Sequence, residues 1–394
     1  MSIVKLSDHV YSVGVLNPSL RVFDIVMEAK YGTTYNAYLI TGQKNVLVET
    51  VHAEFFDEYL YNVQCLVDLP SIDYIVMNHT EPDHSGSLQK LLELCPNSTV
   101  VCTAAAQKYL KAIANRDFPY KVVKHGDTLD IGGTSLEFVV APLLHWPDSM
   151  MTYLPEDRVL FSCDFLGCHF CEPSMLDENI RYQDAYLGEF SYYYQGIFGP
   201  FKPYVLAGLD KIEGLDLDVV CPSHGPVLVE GVRERMADYR RWSAPAPAGP
   251  KKAVVLYASA YRCTQLMAEA ACSAVNERTD VQAECVDMVK TPLAEAASKA
   301  NEADVLLVGS CTINRDAPKI VWDVLSSIDA INSKGKPAGV FGSYGWSGEA
   351  VPMMKDRLCA LHYKVAGDGV TVNFMPTQED LKAMGDYAVQ VASM

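Results

Sequence analysis

The chain has 394 residues, of which 49% are hydrophobic and 21% charged, so it is long enough to form two domains of ordinary size. Acidic residues outnumber basic ones by 49 to 32 and give a net charge of -17, which argues against a nucleic acid as partner. The sequence shows no apolar run of about 18 residues and no secretory signal, so we expect a cytoplasmic protein that makes no membrane contact.

The first part of the chain is rich in predicted strands. TYNAYLI and KNVLVET flank the turn TGQK as a hairpin, and helix FFDEYLYNVQCLVDL, strand SIDYIVMN, helix SLQKLLELC and strand STVVC follow. Next come the strands YKVVKHG, SLEFVVAP, MMTYLP and RVLFSCD, a helical stretch from about 184 to 213, the strand DLDVVCPSH and a helix near 227–242. Many strands with helices outside them predict an αββα sandwich.

Residues 243–250, SAPAPAGP, are all small residues, prolines or glycine, and two lysines follow them. Such a composition does not pack into a core and favours an extended, semi-rigid chain. We therefore predict a first domain over residues 1–242, a linker over 243–252 and a second domain over 253–394.

Strands and helices alternate regularly after the linker. The strands AVVLYAS, VQAECVDM, DVLLVGS, PAGVFGSYG and VAGDGVTVNF are each followed by a helical pattern, at 265–277, 292–301, 319–330, 350–362 and 377–392. Five such units predict a doubly wound parallel sheet, in which ligands bind at the carboxyl ends of the strands.

Four segments of the first domain end a predicted strand in side chains that bind metals. They are NHTEPDHSG, APLLHWPDS, VLFSCDFLG and VVCPSHGP, and they contain His79, Glu81, Asp83, His84, His145, Asp164 and His224. Each residue alone is explained as a cap or a turn former. Together, four imidazoles and three carboxylates are too many for one tetrahedral ion and suit two ions that share a carboxylate. We expect Asp164 to be the shared ligand.

Three loops of the second domain carry the features of a cofactor site. They contain Ser259, Ala260, Tyr261, Arg262, Cys263 and Thr264; Cys311, Thr312, Ile313 and Asn314; and Ser343, Tyr344, Gly345, Trp346, Ser347 and Gly348. The first loop precedes a predicted helix and offers backbone N–H groups to a phosphate, although it also fits an ordinary capped helix. In the third loop, two aromatic side chains among glycines can enclose a planar ring system.

For several other residues the sequence gives only weak evidence of a functional role. Cys168 and Cys171 form a single CxxC, for which ordinary thiols are favoured over a redox or zinc role, and the scattered cysteines overall indicate a reducing compartment. Among the adjacent tyrosines 192–194, one hydroxyl is a candidate to hydrogen-bond a bound oxygen species, and the others are expected to pack. The remaining histidines are expected to be structural: His9, His52, His125, His169 and His362.

The order His-x-Glu-x-Asp-His, followed by His, Asp and His, resembles the metallo-β-lactamase-like domain of the flavodiiron proteins. The three loops resemble their flavodoxin-like domain, so the likeness covers the whole chain. The resemblance implies that one iron is held by His79, Glu81 and His145, the other by Asp83 and His224, and that Asp164 bridges them. His84 is a ligand in some members and turned away in others, so its role stays open.

Three positions, Glu81, Arg262 and Cys263, differ from those of related proteins. The related hydrolases have His-x-His where this chain has Glu81, and a carboxylate makes the site harder, which favours iron over zinc. Arg262 and Cys263 stand where flavodiiron proteins more often have Gly and Ser or Thr, and Arg262 either adds a charge for the phosphate or points to solvent.

The resemblance implies an enzyme that uses FMN and two iron ions to reduce dioxygen to water, nitric oxide to nitrous oxide, or both. Because the sequence lacks rubredoxin-type cysteine pairs and a dinucleotide fingerprint, the implied donor is a separate rubredoxin or flavin reductase. The family also implies a head-to-tail homodimer, or a homotetramer. The alternatives are a binuclear metallohydrolase joined to a flavodoxin module that docks a partner, and a non-catalytic electron carrier.

Overall fold

A computed structural model describes residues 3–245 and 249–394. The chain divides into two compact units after Pro245, within the stretch predicted as linker. Residues 246–248 of the predicted linker lie outside the described residues.

The strands of the first unit are short and numerous, as predicted. They are β1 (Val4–Lys5), β2 (Val10–Ser12), β3 (Val15–Asn17), β4 (Val22–Phe23), β5 (Met27–Glu28), β6 (Thr33–Tyr35), β7 (Tyr38–Ile40), β8 (Asn45–Val48), β9 (Ile72–Val76), β10 (Thr99–Cys102), β11 (Tyr120–Val122), β12 (Thr128–Asp130), β13 (Ser135–Val140), β14 (Met150–Leu154), β15 (Val159–Cys163) and β16 (Val219–Pro222). The α-helices are α1 (Phe56–Gln64), α2 (Pro82–Ser85), α3 (Leu88–Leu94), α4 (Ala104–Ala114), α5 (Gln183–Tyr193), α6 (Lys202–Ile212) and α7 (Val232–Ser243).

Two sheets form the centre of this unit. One has the strand order β1-β2-β7-β8-β9-β10-β11 and the other the order β12-β13-β14-β15-β16. Successive side chains of a strand point to opposite faces of its sheet. Tyr38 and Ile40 therefore belong to a buried cluster with residues of both sheets. Leu39, between them, belongs to another buried cluster, which includes residues of the helices. The αββα sandwich predicted from the sequence is confirmed.

Two helix predictions need correction. The stretch predicted as helical over 184–213 is divided by a π-helix (Tyr194–Phe198) and a 3-10 turn (Gly199–Phe201), where two glycines and a proline interrupt the regular pattern. The last helix begins at Val232 rather than near residue 227, because Val227 and Leu228 form β-bridges with earlier parts of the chain.

The second unit has the predicted alternation of strands and helices. Its strands are β17 (Lys252–Ala258), β18 (Gln282–Asp287), β19 (Val305–Cys311), β20 (Pro337–Tyr344), β21 (Lys364–Val365) and β22 (Val370–Asn373). Its helices are α8 (Cys263–Arg278), α9 (Leu293–Glu302), α10 (Lys319–Ser326), α11 (Ala350–Ala360) and α12 (Gln378–Ala392).

The strands of this unit form one parallel sheet in the order β18-β17-β19-β20, and both β21 and β22 pair with β20. Its two faces carry separate buried clusters, as expected for a doubly wound sheet. The last strand was predicted as continuous over 365–374 and this is wrong, because Gly367 and Gly369 have positive φ values of 54° and 87° and divide it. Within the described residues, no helix combines the length and apolarity needed to cross a bilayer.

Candidate metal centre and flavin loops

All seven residues predicted as metal ligands follow the carboxyl ends of strands. His79 and Glu81 lie between β9 and α2, and Asp83 and His84 lie within α2. The other three lie after β13, β15 and β16, in the order His145, Asp164 and His224. Because β15 and β16 are parallel neighbours and the other loops reach the same region, the structure brings these distant segments into one cluster.

The first half of the cluster gathers around one oxygen of Asp164. His79 Nε2 lies 3.2 Å from Glu81 Oε2 and 3.6 Å from Asp164 Oδ2. His145 Nε2 lies 3.3 Å from the same Glu81 oxygen and 3.4 Å from Asp164 Oδ2. Two imidazole nitrogens and two carboxylate oxygens therefore converge on a single point.

The second half of the cluster gathers around the other oxygen of Asp164. His84 Nε2 lies 3.2 Å and His224 Nε2 lies 3.5 Å from Asp164 Oδ1. Asp83 adds its Oδ2 at 3.0 Å from His224 Nε2 and its Oδ1 at 3.4 Å from His84 Nε2. Asp164 thus presents one oxygen to each half, and His84 turns its ring nitrogen into the second half.

Several polar atoms in this cluster are buried without a hydrogen-bond partner among the described residues. They are both carboxylate oxygens of Asp83, Asp164 Oδ1 and His84 Nε2. Leaving buried polar atoms unpaired is costly, and metal coordination satisfies such atoms directly. The donor set of imidazoles and carboxylates therefore fits two iron ions.

Each half of the cluster is held in place by residues behind the predicted ligands. His79 Nδ1 lies 3.3 Å from Asp148 Oδ2, which also accepts a hydrogen bond of 2.8 Å from Thr80 Oγ1. His224 Nδ1 donates to the carbonyl oxygen of Thr34 at 2.7 Å. Partners of this kind fix the ring orientation and leave Nε2 free for a metal.

A carboxyl group also lies behind His84. Glu49 Oε2 is 4.0 Å from His84 Nδ1, and Glu49 Oε1 accepts a hydrogen bond of 2.8 Å from the backbone N–H of Asn78. Burial raises the pKa of Glu49 to about 7, although the two neighbouring imidazoles, His84 and His79, lower it in part.

Contacts between opposite charges in the cluster shift the pKa values of its side chains. Burial disfavours the imidazolium form of His79, but hydrogen bonds to Asp148 and Glu81 raise its pKa to about 10. Burial likewise opposes ionisation of Glu81, yet hydrogen bonds from His145 and His79 hold its pKa below the usual range. Glu81 is therefore kept ionised, which is the form that binds cations.

Aromatic side chains enclose the cluster. Tyr193, a member of the tyrosine run, is buried and its ring lies 6.4 Å from that of His224. Phe198 contacts His145 and Phe23 contacts His224, at ring separations of 6.1 and 5.3 Å.

Sequence reasoning missed Asp24, Glu49 and Asp148 as parts of the site. Partial burial, together with the negative charges of Glu81 and Asp83, raises the pKa of Asp24 to about 7. Asp148 lies inside the quoted segment APLLHWPDS and was detectable as an acid three residues after a candidate histidine. Asp24 and Glu49 follow strands far from the motifs and carry no local signal.

His169, predicted to be structural, packs against the site. Its ring centroid is 5.0 Å from that of His224, and its Nδ1 is 2.9 Å from Thr33 Oγ1. Burial lowers its pKa well below the ordinary value, so the ring is neutral and packs. Burial raises the pKa values of Cys168 and Cys171. Among the residues that the structure describes, neither cysteine belongs to a cluster of side chains that could hold a metal ion.

The three predicted loops of the second unit follow β17, β19 and β20, which are neighbours in the sheet. Ser259 Oγ is buried without a hydrogen-bond partner among the described residues, at the loop that leads into α8. Thr264 Oγ1 and Ser343 Oγ lie 2.8 Å apart and join the first loop to the third. An unpaired hydroxyl before a helix N-terminus fits the phosphate of FMN.

The aromatic side chains of these loops are unusually exposed. Trp346 is 88% and Tyr261 is 86% exposed, so neither stabilises the unit by burial. Phe374, which sequence reasoning missed, is 65% exposed, and its ring would lie 3.1 Å from a Cβ added at Gly345. These rings do not fill a core, and exposed rings at the ends of neighbouring strands are suited to cover a planar cofactor.

Arg262 has a left-handed backbone conformation with φ of 67°. This geometry favours glycine, in line with the glycine that the family resemblance leads us to expect at this position. The side chain is exposed, at the first turn of α8.

Comparisons with known proteins agree with the fold of each of the two units. A family described as ODP family beta lactamase matches residues 33–225, and the Flavodoxin family matches residues 255–384. The chain is 49% identical to flavo-diiron protein FprA2 of Clostridium acetobutylicum, over 97% of each chain. It is 34% identical to a nitric oxide reductase of Moorella thermoacetica, over 99% of this chain and 98% of the other.

Solved structures give the same relationship. Rubredoxin oxygen:oxidoreductase from Desulfovibrio gigas superposes with a TM-score of 0.71 at 28% identity, over 99% of this chain and 98% of that one. The flavodiiron protein from Giardia intestinalis superposes with a TM-score of 0.69 at 28% identity, over 100% and 96% of the two chains. The chain therefore belongs to the flavodiiron protein family and is an oxidoreductase with FMN and a non-heme di-iron site.

Proposed function

We propose that this protein reduces dioxygen to water, nitric oxide to nitrous oxide, or both, with electrons that reach the irons through FMN. The observation that carries the proposal is the carboxylate of Asp164, which turns one oxygen to each half of the buried cluster. Relatives named for each substrate, the Moorella nitric oxide reductase and the Desulfovibrio rubredoxin oxygen:oxidoreductase, support both activities.

In this proposal the seven clustered side chains would be the iron ligands. His79, Glu81 and His145 would hold one iron, Asp83, His84 and His224 would hold the other, and Asp164 would serve both. The distance of 3.2 Å from His84 Nε2 to Asp164 Oδ1 supports the inclusion of His84, which the sequence left open.

When bound, the iron pair supplies Lewis acidity and electrons for reducing a small diatomic substrate. The residues of this chain provide the setting for that chemistry. Asp148 and Thr34 fix the imidazoles of His79 and His224, so that the ligands are oriented before metal arrives. Tyr193 and Phe198 supply apolar surface that limits the access of water.

Anaerobic turnover of the reduced enzyme with each gas tests the substrate proposal. We expect consumption of dioxygen without release of peroxide, formation of nitrous oxide from nitric oxide, or both. Activity with neither gas, in protein that contains iron and FMN, would contradict the proposal. Full activity with zinc would also contradict it, because zinc does not change its oxidation state.

We further propose FMN rather than FAD as the flavin bound by the loop at 259–264. The sequence offers one anion-binding loop and no second phosphate motif of the GxGxxG type. Heat release of the flavin followed by chromatography distinguishes the two, and recovery of FAD would overturn this assignment.

The electron donor is proposed to be a separate rubredoxin or a flavin reductase, and the active assembly a head-to-tail homodimer, alone or within a tetramer. The iron ligands and the flavin loops belong to different units of one chain. A head-to-tail pair places the flavin of one subunit against the irons of its partner, which shortens electron transfer and completes both sites at once.

Complementation between two inactive chains tests this assembly. One chain carries Glu81→Ala with Asp164→Ala, and the other carries alanine at Ser259, Thr264 and Trp346. Mixed dimers should recover one working site, since the metal-deficient subunit still brings FMN to the intact irons of its partner. Inactive mixed dimers, formed from parents that remain folded and dimeric, would place electron transfer within a single chain.

A further inference from the structure

Two cysteines of the second unit approach each other away from the flavin loops. Cys272 lies in the middle of α8 and is half-buried, whereas Cys285 lies on β18 and is exposed. α8 packs against β18, which is the edge strand of the sheet. The motifs of the family do not use this pair, and the proposed reaction does not require it.

The sulfur of Cys285 is anchored one helical turn before Cys272. Its S–H donates to the carbonyl oxygen of Ala268 at 3.2 Å, and Ala268 precedes Cys272 by four residues on the same face of α8. Within an α-helix that carbonyl oxygen also accepts the backbone N–H of Cys272, so the sulfur of Cys285 lies beside the helical turn that carries Cys272. The two cysteines are therefore neighbours between α8 and β18.

This contact gives the two thiols different properties. The hydrogen bond from Cys285 lowers the pKa of Cys272, although burial and Glu284 oppose the shift. Part of the negative charge of Glu284 is offset by Lys299, whose Nζ donates to Glu284 Oε2 at 2.6 Å. The contact with Cys272 and the partial desolvation of the sulfur raise the pKa of Cys285. The pair thus combines a sulfur whose ionisation is favoured with a sulfur whose ionisation is opposed.

We propose that Cys272 and Cys285 form a reversible thiol pair that hydrogen peroxide oxidises to a disulfide between α8 and β18. The Cys272 thiolate attacks one peroxide oxygen, the O–O bond breaks, and the departing hydroxide takes a proton to leave as water. Cys285 sulfur, now deprotonated, attacks the sulfenic acid formed on Cys272, the S–O bond breaks, and a second water leaves. Two thiols lose two electrons and two protons, and one peroxide yields two waters.

The disulfide links the edge strand to the helix whose first turn follows the phosphate loop. It closes the segment between α8 and β18 and constrains the unfolded chain, so it raises the thermal midpoint of the second unit. A dithiol reductant reverses it by exchange through a mixed disulfide. The pair therefore forms a reversible cross-link in response to peroxide, independently of the iron chemistry.

The test uses the full chain with its cofactors, reduced, freed of reductant and treated with stoichiometric hydrogen peroxide. Remaining thiols are alkylated, and the digested protein is examined by mass spectrometry. We expect a peptide pair joined through Cys272 and Cys285 that disappears after treatment with dithiothreitol. In Cys285→Ser the cross-link is lost and dimedone labels Cys272 instead, whereas Cys272→Ser loses both products.

Two controls separate this pair from general oxidation. Cys359 is an exposed thiol on α11 of the same unit, so Cys359→Ser should leave the cross-link unchanged. The cross-link should also form in Asp164→Ala, which removes iron as a source of oxidising species. The proposal is overturned if Cys272 and Cys285 remain fully alkylated in the treated wild type, or if Cys359 is oxidised as fast as Cys272.

Discussion

The two cofactor sites of this chain are built in opposite ways. The iron site consists of charged and polar side chains that are almost entirely buried, and each ring or carboxylate is held by another residue. The flavin loops consist of short turns after neighbouring strands, with large aromatic side chains in solvent. The first site is held by buried contacts among its charged side chains, whereas the second presents exposed rings on short loops, two of which are joined by the contact between Thr264 and Ser343.

The largest effect is expected where the iron site depends on one shared residue. Asp164→Ala should reduce iron from about two per chain to near zero, because both halves of the cluster lose a common anion. Elemental analysis measures the loss, and circular dichroism checks that the fold is kept. Asp184→Ala, an exposed acid on α5, is the matched control and should retain both irons. Retention of two irons by Asp164→Ala would disprove the bridging role.

A smaller loss is expected from the residue behind His79. Asp148→Asn should weaken iron binding by roughly 10–100-fold, because the ring of His79 loses its carboxylate partner. Competition with a chelator measures the affinity, and FMN content should not change. Asp117→Asn, a highly exposed acid of the same unit, serves as control. Equal affinities in the two variants would show that Asp148 does not position the ligand.

A smaller change in cofactor affinity is expected from a substitution in the flavin loops. Ser259→Ala should raise the Kd for FMN by about tenfold, the effect of losing one hydrogen bond to a charged group. Fluorescence titration of flavin-free protein measures Kd, and the Kd for riboflavin, which has no phosphate, should stay the same. Ser298→Ala, at an exposed position of α9, is the control. An equal rise for both flavins would place Ser259 away from the phosphate.

The smallest effect is expected on the stability of the second unit, with no change in cofactor binding. Thr377 caps α12 in a capping box with Asp380, so Thr377→Ala should lower the free energy of unfolding of this unit by about 1 kcal/mol. Calorimetry follows its thermal transition, and iron and FMN contents should remain unchanged. Thr377→Ser keeps the hydroxyl and should restore most of the loss. A change in the transition of the first unit would contradict the separation of the two.

The contrast between the sites also explains which parts were predictable. Strands such as β9 and β19 were recognisable because their apolar runs end at glycine, proline or charged residues. The predictions failed where a local interruption outweighed periodicity, as in the π-helix after α5 and at Gly367 and Gly369 in the last strand. Phe374 was missed at the flavin loops because it follows that divided strand.

The sequence by itself determined the two-part organisation, the fold class of each part and the set of side chains able to bind metal. These properties follow from periodicity, from composition and from which residues end each strand, all of which are local. Only the tertiary structure decided that His84 turns its Nε2 into the cluster, that Glu49 lies behind it, and that Cys285 packs against the helical turn of Cys272. Such contacts join residues far apart in the chain or on different elements, so no local pattern encodes them.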